Sequence, residues 1–77
     1  MTTEASFGIV LRRIRAQKKL SQEELADESG LHRTYISLLE RGQKSPSLST
    51  LFRLAQALGI QPHLLVKLTE QENSHSE

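Results

Sequence analysis

Two short helical patterns separated by a glycine, SQEELADESGLHRTYISLLERG over residues 21–42, constrain this chain more than any other stretch. The first opens with a capping box: the Ser21 side chain can accept from the backbone N–H of Glu24, and Glu24 can reach back. Gly30 can adopt the left-handed conformation that ends a helix and turns the chain. The second pattern runs from about Arg33 to about Glu40. Two short helices joined by so tight a turn predict a helix-turn-helix.

The rest of the chain adds three helical patterns and no strand-like alternation. The first should cover about residues 7–18 after a Ser6 cap, the fourth should begin after Ser47 and close at Gly59, and the fifth should start at Pro62. Apolar spacing predicts the core-facing residues Phe7, Val10, Leu11, Ile14, Leu25, Ala26, Leu31, Ile36, Leu39, Leu48, Leu51, Leu54, Ala55 and Leu58. We therefore expect an all-α, compact five-helix domain over residues 1–68. Residues 69–77, TEQENSHSE, have no apolar period and predict a disordered polar tail.

Composition excludes several classes of function. A chain of 77 residues has a small core, so a partner subunit is the expected extra support. It has no cysteine, and His32, His63 and His75 lack metal-ligand spacing, so neither a metal nor a cofactor is expected. No convergent His–carboxylate set and no glycine-rich phosphate loop suggest an enzyme. With no apolar run of about 18 residues and no signal peptide, we expect a cytoplasmic protein with no membrane contact.

Charge becomes informative once the chain is divided. The whole chain carries +1, but the last nine residues hold three glutamates and no base. Residues 1–68 therefore carry ten lysines and arginines against six acidic residues, or +4. Such an excess is consistent with binding a polyanion.

The geometry of a helix-turn-helix assigns a role to the start of its second helix. The first helix lies across the DNA backbone, and the amino end of the second enters the major groove. Arg33 can make a bidentate contact with guanine, and Thr34 offers a hydroxyl and a methyl group. Ser37 and Leu38 lie one turn later on the exposed side. We predict these four residues as base readers, although Arg33 could be an ordinary solvated residue and Leu38 could be exposed without contacting a base.

The motifs together closely resemble the Cro/C1-type (XRE) helix-turn-helix family. The resemblance covers about residues 7–68 and includes IR at 14–15, LSQEELA at 20–26, YIS at 35–37, ERG at 40–42 and LFRLAQALG at 51–59. It implies a lambda-repressor-like DNA-binding fold and a sequence-specific transcriptional regulator. The short length and the string RTYIS…ERG also resemble the controller proteins of restriction–modification systems. Small phage repressors and antitoxins have similar lengths.

The resemblance implies roles for single residues outside the base-reading set. Arg15 and Glu40 match an internal ion pair that links the first and third helices. Gln22 matches a glutamine that bonds a phosphate and braces the reading helix, and the ring of Tyr35 can also pack on the core. His32 occupies the cap position, where it either starts the helix poorly or faces a phosphate. The residues expected near phosphates are Gln22, His32, Tyr35, Lys44 and Ser45.

The fifth pattern, HLLVKL, has two interpretations. Its leucines can complete the core of one chain or form a twofold interface. We predict mixed use, with Leu64 and Leu68 partly inward and Leu65 or Val66 toward a partner, so that Leu64, Leu65 and Val66 are the candidates for a homodimer interface. The sequence thus predicts a transcriptional regulator that binds an inverted-repeat operator in double-stranded DNA as a dimer. RNA polymerase would be an additional partner of an activator. A protein-interaction module of the antitoxin kind is the alternative.

Overall fold

Side-chain caps and left-handed glycines divide the chain into its helices. The structure is a computed structural model that describes residues 1–75, within which no strand forms. The helices are α1 (Thr3–Gln17), α2 (Gln22–Ser29), α3 (Arg33–Glu40), α4 (Leu48–Leu58) and α5 (Pro62–His75). The predicted all-α, five-helix fold is confirmed over these residues. Of the helices in this part of the chain, none is both long and apolar enough to cross a membrane.

The predicted capping of the central helices is confirmed. The Ser21 hydroxyl accepts from the Glu24 backbone N–H at 3.0 Å, and the Glu24 carboxylate accepts from the Ser21 N–H at 2.8 Å. Ser47 caps α4 by accepting from the backbone N–H of Thr50 at 3.1 Å. Gly30 and Gly59 end α2 and α4 with φ of 73° and 71°. Local sequence rules therefore suffice to place these helix ends.

The predicted start of α1 is wrong. Thr2, not Ser6, is the cap, and its hydroxyl accepts from the backbone N–H of Ala5 at 3.0 Å. Ser6 instead lies inside the helix, fully buried, and donates to the side-chain oxygen of Asn73 at 3.1 Å. A long-range hydrogen bond to α5 thus uses the hydroxyl that the local rule assigned to capping.

All five helices contribute side chains to one apolar core. Its buried members are Phe7, Val10, Leu11, Ile14, Leu25, Ala26, Ile36, Leu39, Leu54, Ala55, Leu58 and Leu65. Leu31 and Leu51 pack against it half-buried. Leu48 was predicted for this core but is 72% exposed, because α4 meets the core only from Leu51 onward.

The predicted disordered tail is wrong for residues 69–75, since α5 continues to His75. Thr69 is buried, and its hydroxyl donates to the Leu65 carbonyl at 2.7 Å. One turn further along α5, Glu72 accepts from Arg13 of α1 at 2.8 Å. The Ser6–Asn73 and Arg13–Glu72 contacts therefore attach this segment to α1 although it has no apolar period. Residues 76 and 77 of the predicted tail lie outside the described residues.

Candidate nucleic-acid interface

Helix α3 has one face in the core and its amino end in solvent. The turn before it is closed by Gly30, and the Leu31 N–H donates to the Ala26 carbonyl at 3.0 Å. On the inner face, Ile36 and Leu39 are fully buried. This packing orients the helix and leaves its first turn uncovered, which is the arrangement that a reading helix needs.

The four predicted base readers differ in solvent exposure. Arg33 and Thr34 are exposed, whereas Ser37 and Leu38 are half-buried. Within residues 1–75, the side chains of Arg33 and Thr34 form no hydrogen bond or ion pair with the rest of the protein. The guanidinium donors of Arg33 are therefore available for an external acceptor.

The first turn of α3 also offers backbone donors. His32 occupies the cap position but makes no side-chain cap hydrogen bond, and the first intrahelical bond runs from the Ile36 N–H to the His32 carbonyl at 3.1 Å. The N–H groups of residues 33–35 consequently have no partner within the described chain. Unpaired N–H groups at the positive end of a helix attract anions such as phosphate.

The predicted phosphate-contacting residues flank α3 on both sides. His32 is exposed before the helix, and Lys44 and Ser45 are exposed in the loop that follows it. Tyr35 is half-buried and packs against the core, in agreement with the structural part of its predicted role. Gln22 is half-buried, and its side-chain amide donates to a Glu40 carboxylate oxygen at 3.0 Å, so it braces α3 as predicted.

The predicted ion pair between Arg15 and Glu40 is present and well shielded. Arg15 donates from Nε at 2.6 Å to one Glu40 oxygen and from a terminal nitrogen at 3.0 Å to the other. A further nitrogen of Arg15 donates to the Leu20 carbonyl at 2.7 Å. Only 4% of the Glu40 side chain and 15% of the Arg15 side chain are exposed. The hydrogen bond to Glu40 raises the pKa of Arg15 above its ordinary value, against the opposing effect of burial.

This network connects three helices around one carboxylate. Arg15 belongs to α1, Gln22 to α2 and Glu40 to the last position of α3. A bidentate Arg–carboxylate pair is strong and geometrically specific. The network therefore fixes the carboxyl end of α3 relative to the two helices that precede it.

The three residues predicted for a dimer interface differ in how far they are exposed. Leu65 is fully buried in the core of its own chain, so its assignment to an interface is wrong. Val66 is 53% exposed, and Leu64 is half-buried. HLLVKL has apolar residues on several sides of α5, and only the packing against the other helices decides which one turns inward.

The sequence analysis missed an exposed apolar patch on α4. Leu48 is 72% exposed and Phe52 is 54% exposed, and they stand four residues apart on one side of the helix. Leu51 and Val66 line a common groove of about 390 Å³ between α4, α5 and the start of α1. The i, i+4 spacing was visible in the sequence, but Leu48 had been assigned to the core. Within residues 1–75, no three His, Cys, Asp or Glu side chains are grouped so as to hold a metal.

Comparison with known proteins places this geometry in a family. The helix-turn-helix family model HTH_3 matches residues 11–65, which is more than half of the chain. The chain therefore belongs to the helix-turn-helix family of transcriptional regulators, as its motifs predicted.

Several relatives are controllers of restriction–modification systems. Control protein C.BamHI of Bacillus amyloliquefaciens is 48% identical over 64 residues, covering 82% of this chain and 79% of the relative. Control protein C.SmaI of Serratia marcescens is 50% identical over 58 residues, covering 74% and 69%. The crystal structure of the restriction-modification controller protein C.AhdI from Aeromonas hydrophila matches with a TM-score of 0.79 at 48% identity, covering 80% of this chain and 94% of that one. The predicted resemblance to controller proteins is thus confirmed.

Proposed function

We propose that the chain regulates transcription by binding an inverted-repeat operator as a homodimer, with α3 of each subunit in the major groove. The observation that carries the proposal is the first turn of α3. There Arg33 and Thr34 are exposed and have no partner in the described chain, while the opposite face of the same helix is buried. A helix held in this way presents side chains to a groove without first breaking contacts of its own.

In the proposed complex, base contacts and phosphate contacts have separate sources. Arg33 donates to the acceptor edge of a guanine, and Thr34 contacts a neighbouring base or a thymine methyl. Ser37 and Leu38, at the next turn, approach the groove only at their exposed edges. The phosphate contacts come from His32, Lys44, Ser45, the Tyr35 hydroxyl and the second N–H of the Gln22 side-chain amide. Phosphate contacts set the register, and base contacts supply the sequence preference.

The dimer half of the proposal depends on exposed apolar side chains, which are Leu48 and Phe52 of the α4 patch and Val66 of α5. These side chains are each more than half exposed, and a chain this small gains stability by covering them. Leu64 lies half-buried on α5, two residues before Val66. A second copy of the chain is the proposed partner, because most small oligomers are twofold dimers. For both α3 helices to enter the major groove on one side of the duplex, the dimer has to hold them about one DNA turn apart, about 34 Å.

Selection from random-sequence duplex DNA with the purified chain, followed by footprinting, tests the DNA half. We expect enrichment of a sequence with two symmetry-related halves whose centres are about 10 base pairs apart. Protection should cover both halves on the same face of the duplex. Recovery of no preferred sequence would contradict the proposal.

Phe52→Glu tests the dimer half, with Gln61→Glu as a matched control that adds the same charge at an exposed loop position. Sedimentation equilibrium should show a dimer for the control and a monomer for Phe52→Glu. Operator affinity should fall with the loss of the dimer. A dimer that survives Phe52→Glu would contradict the proposed interface. A wild-type chain that is monomeric would favour the interaction-module alternative, with this patch binding a different protein.

A further inference from the structure

Helix α1 touches the carboxyl end of α3 backbone to backbone at Gly8. A methyl group on Gly8 would lie 2.5 Å from the carbonyl oxygen of Leu39 and 2.6 Å from that of Glu40. Real Cβ atoms essentially never approach another heavy atom within 3.0 Å. The crowded atoms belong to the backbone, so no side-chain rotation can relieve the contact. An alanine here would have to push the two helices apart by about 0.5 Å or more.

The segment after α3 approaches α1 in the same way. Gly42 has a φ of 72°, and a side chain there would lie 2.9 Å from the Cα of Ala5. Gly8 stands at i+3 from Ala5, so these two contacts lie about one turn apart on α1. Two turns beyond Gly8, Arg15 holds the Glu40 carboxylate. The carboxyl end of α3 is therefore seated on α1 by bare backbone as well as by the ion pair.

A small displacement at this seat is transmitted along the reading helix. Helix α3 has eight residues, which corresponds to a length of about 12 Å. Its buried face is held by Ile36, near the middle of the helix, and by Leu39, near the carboxyl end. Raising the carboxyl end therefore tilts the helix about its core contacts and changes the direction of its amino end. Bidentate hydrogen bonds to a base depend on distance and angle, so they respond steeply to such a tilt.

We infer that Gly8 is a positioning residue for recognition: the absence of a side chain at Gly8 sets the depth at which α3 is seated on α1. That depth sets the angle at which Arg33 and Thr34 meet the bases. The inference rests on the proposed DNA-binding function, and it adds a residue that touches no DNA to those that determine sequence preference.

The chain offers a control for a merely structural effect. Gly59 has a φ of 71°, and a side chain there would meet nothing within 4 Å. Alanine at Gly59 would strain the turn between α4 and α5 without pushing any helix. Gly8→Ala and Gly59→Ala should therefore both lower stability, but only Gly8→Ala should displace α3.

The test compares wild type, Gly8→Ala and Gly59→Ala on two probes. One probe is the duplex that wild type selects from random DNA, and the other is a random-sequence duplex of equal length. Binding is measured at a temperature at which circular dichroism shows each chain fully folded. We expect Gly8→Ala to reduce the ratio of selected-duplex to random-duplex affinity about tenfold or more, and Gly59→Ala to leave the ratio within about twofold of wild type.

Two results would overturn the inference: an unchanged affinity ratio for Gly8→Ala, or an equal loss for Gly59→Ala. If Gly8→Ala fails to fold, all three chains are remade with Lys19→Gly, since Lys19 has a φ of 60° and glycine relieves that strain. Failure to fold in this background as well would mean that Gly8 only closes the core, and the inference would fall. A wild-type chain that selects no duplex would instead contradict the proposed function, which keeps the two failures distinct.

Discussion

The two ends of α3 differ in how they are bound to the rest of the chain. At the carboxyl end, the Glu40 carboxylate accepts three hydrogen bonds from Arg15 and Gln22 and is almost fully buried. At the amino end, His32 forms no side-chain cap, and Arg33 and Thr34 have no partner within residues 1–75. The carboxyl end, which attaches α3 to the fold, is thus separate from the amino end, which is proposed to bind DNA. An eight-residue helix can therefore vary its first turn without loosening its attachment.

Glu40→Ala should have the largest effect, because it removes the attachment of the carboxyl end. We expect the free energy of unfolding to fall by about 3–5 kcal/mol. The substitution leaves the shielded Arg15 guanidinium without its carboxylate and releases Gln22. Urea unfolding monitored by circular dichroism measures the change. Asp27→Ala, at an exposed position of α2, is the control and should stay within about 0.5 kcal/mol of wild type. Similar losses in both variants would show that the network contributes little.

Arg33→Ala should have the opposite profile. We expect specific affinity to fall by about 1–3 kcal/mol per half-site, because a bidentate base contact is lost. The free energy of unfolding should stay within about 0.5 kcal/mol of wild type, as the side chain has no partner in the described chain. Titration of the selected duplex and of variants at each base pair measures the change. If selected and random duplexes weaken equally, Arg33 contacts only phosphate.

His32→Ser should reduce the difference between the two ends by giving α3 the cap it lacks. A serine hydroxyl can accept from the free N–H groups of the first turn, so unfolding should become less favourable by about 1 kcal/mol. Thermal unfolding measures the gain. Wild-type stability or less in this variant would show that those N–H groups do not limit the helix.

Lys44→Ala should have the smallest effect, confined to the electrostatics of binding. Loss of one phosphate contact should reduce the slope of log affinity against log salt by about 0.9 per subunit, for selected and random duplexes alike. Binding titrations across a range of salt concentrations measure the slope. An unchanged slope would remove Lys44 from the phosphate-contacting set.

Sequence alone predicts those parts of the fold that local chemistry decides. The capping box at Ser21, the left-handed Gly30 and Gly59, and the bounds of α3 all follow from short-range rules. The failures have a common cause in packing between distant segments. Ser6 was assigned to a cap because serine favours that position. Its actual partner, Asn73, is 67 residues away, so no local rule could reveal the contact. Leu65 was assigned to an interface because the inward side of α5 depends on where the other helices lie.

The candidate site also has a part that the sequence predicts and a part that it does not. The Arg15–Glu40 pair follows from the family resemblance, and the exposure of Arg33 and Thr34 follows from the period of α3. The patch on α4 was missed because Leu48 fits the apolar stripe by spacing alone. Gly8 gave one signal that was passed over: glycine inside a helix costs about 1 kcal/mol relative to alanine, so its presence indicates a close approach.

The contacts between the end of α5 and α1 bear on how the protein can be shortened. A chain cut after Leu68, where the apolar pattern stops, would lose the acceptor of Ser6, the carboxylate bound to Arg13 and the buried Thr69. The groove beside Val66 would also lose part of its wall. Recombinant versions intended for crystallisation or binding studies should therefore extend at least to His75.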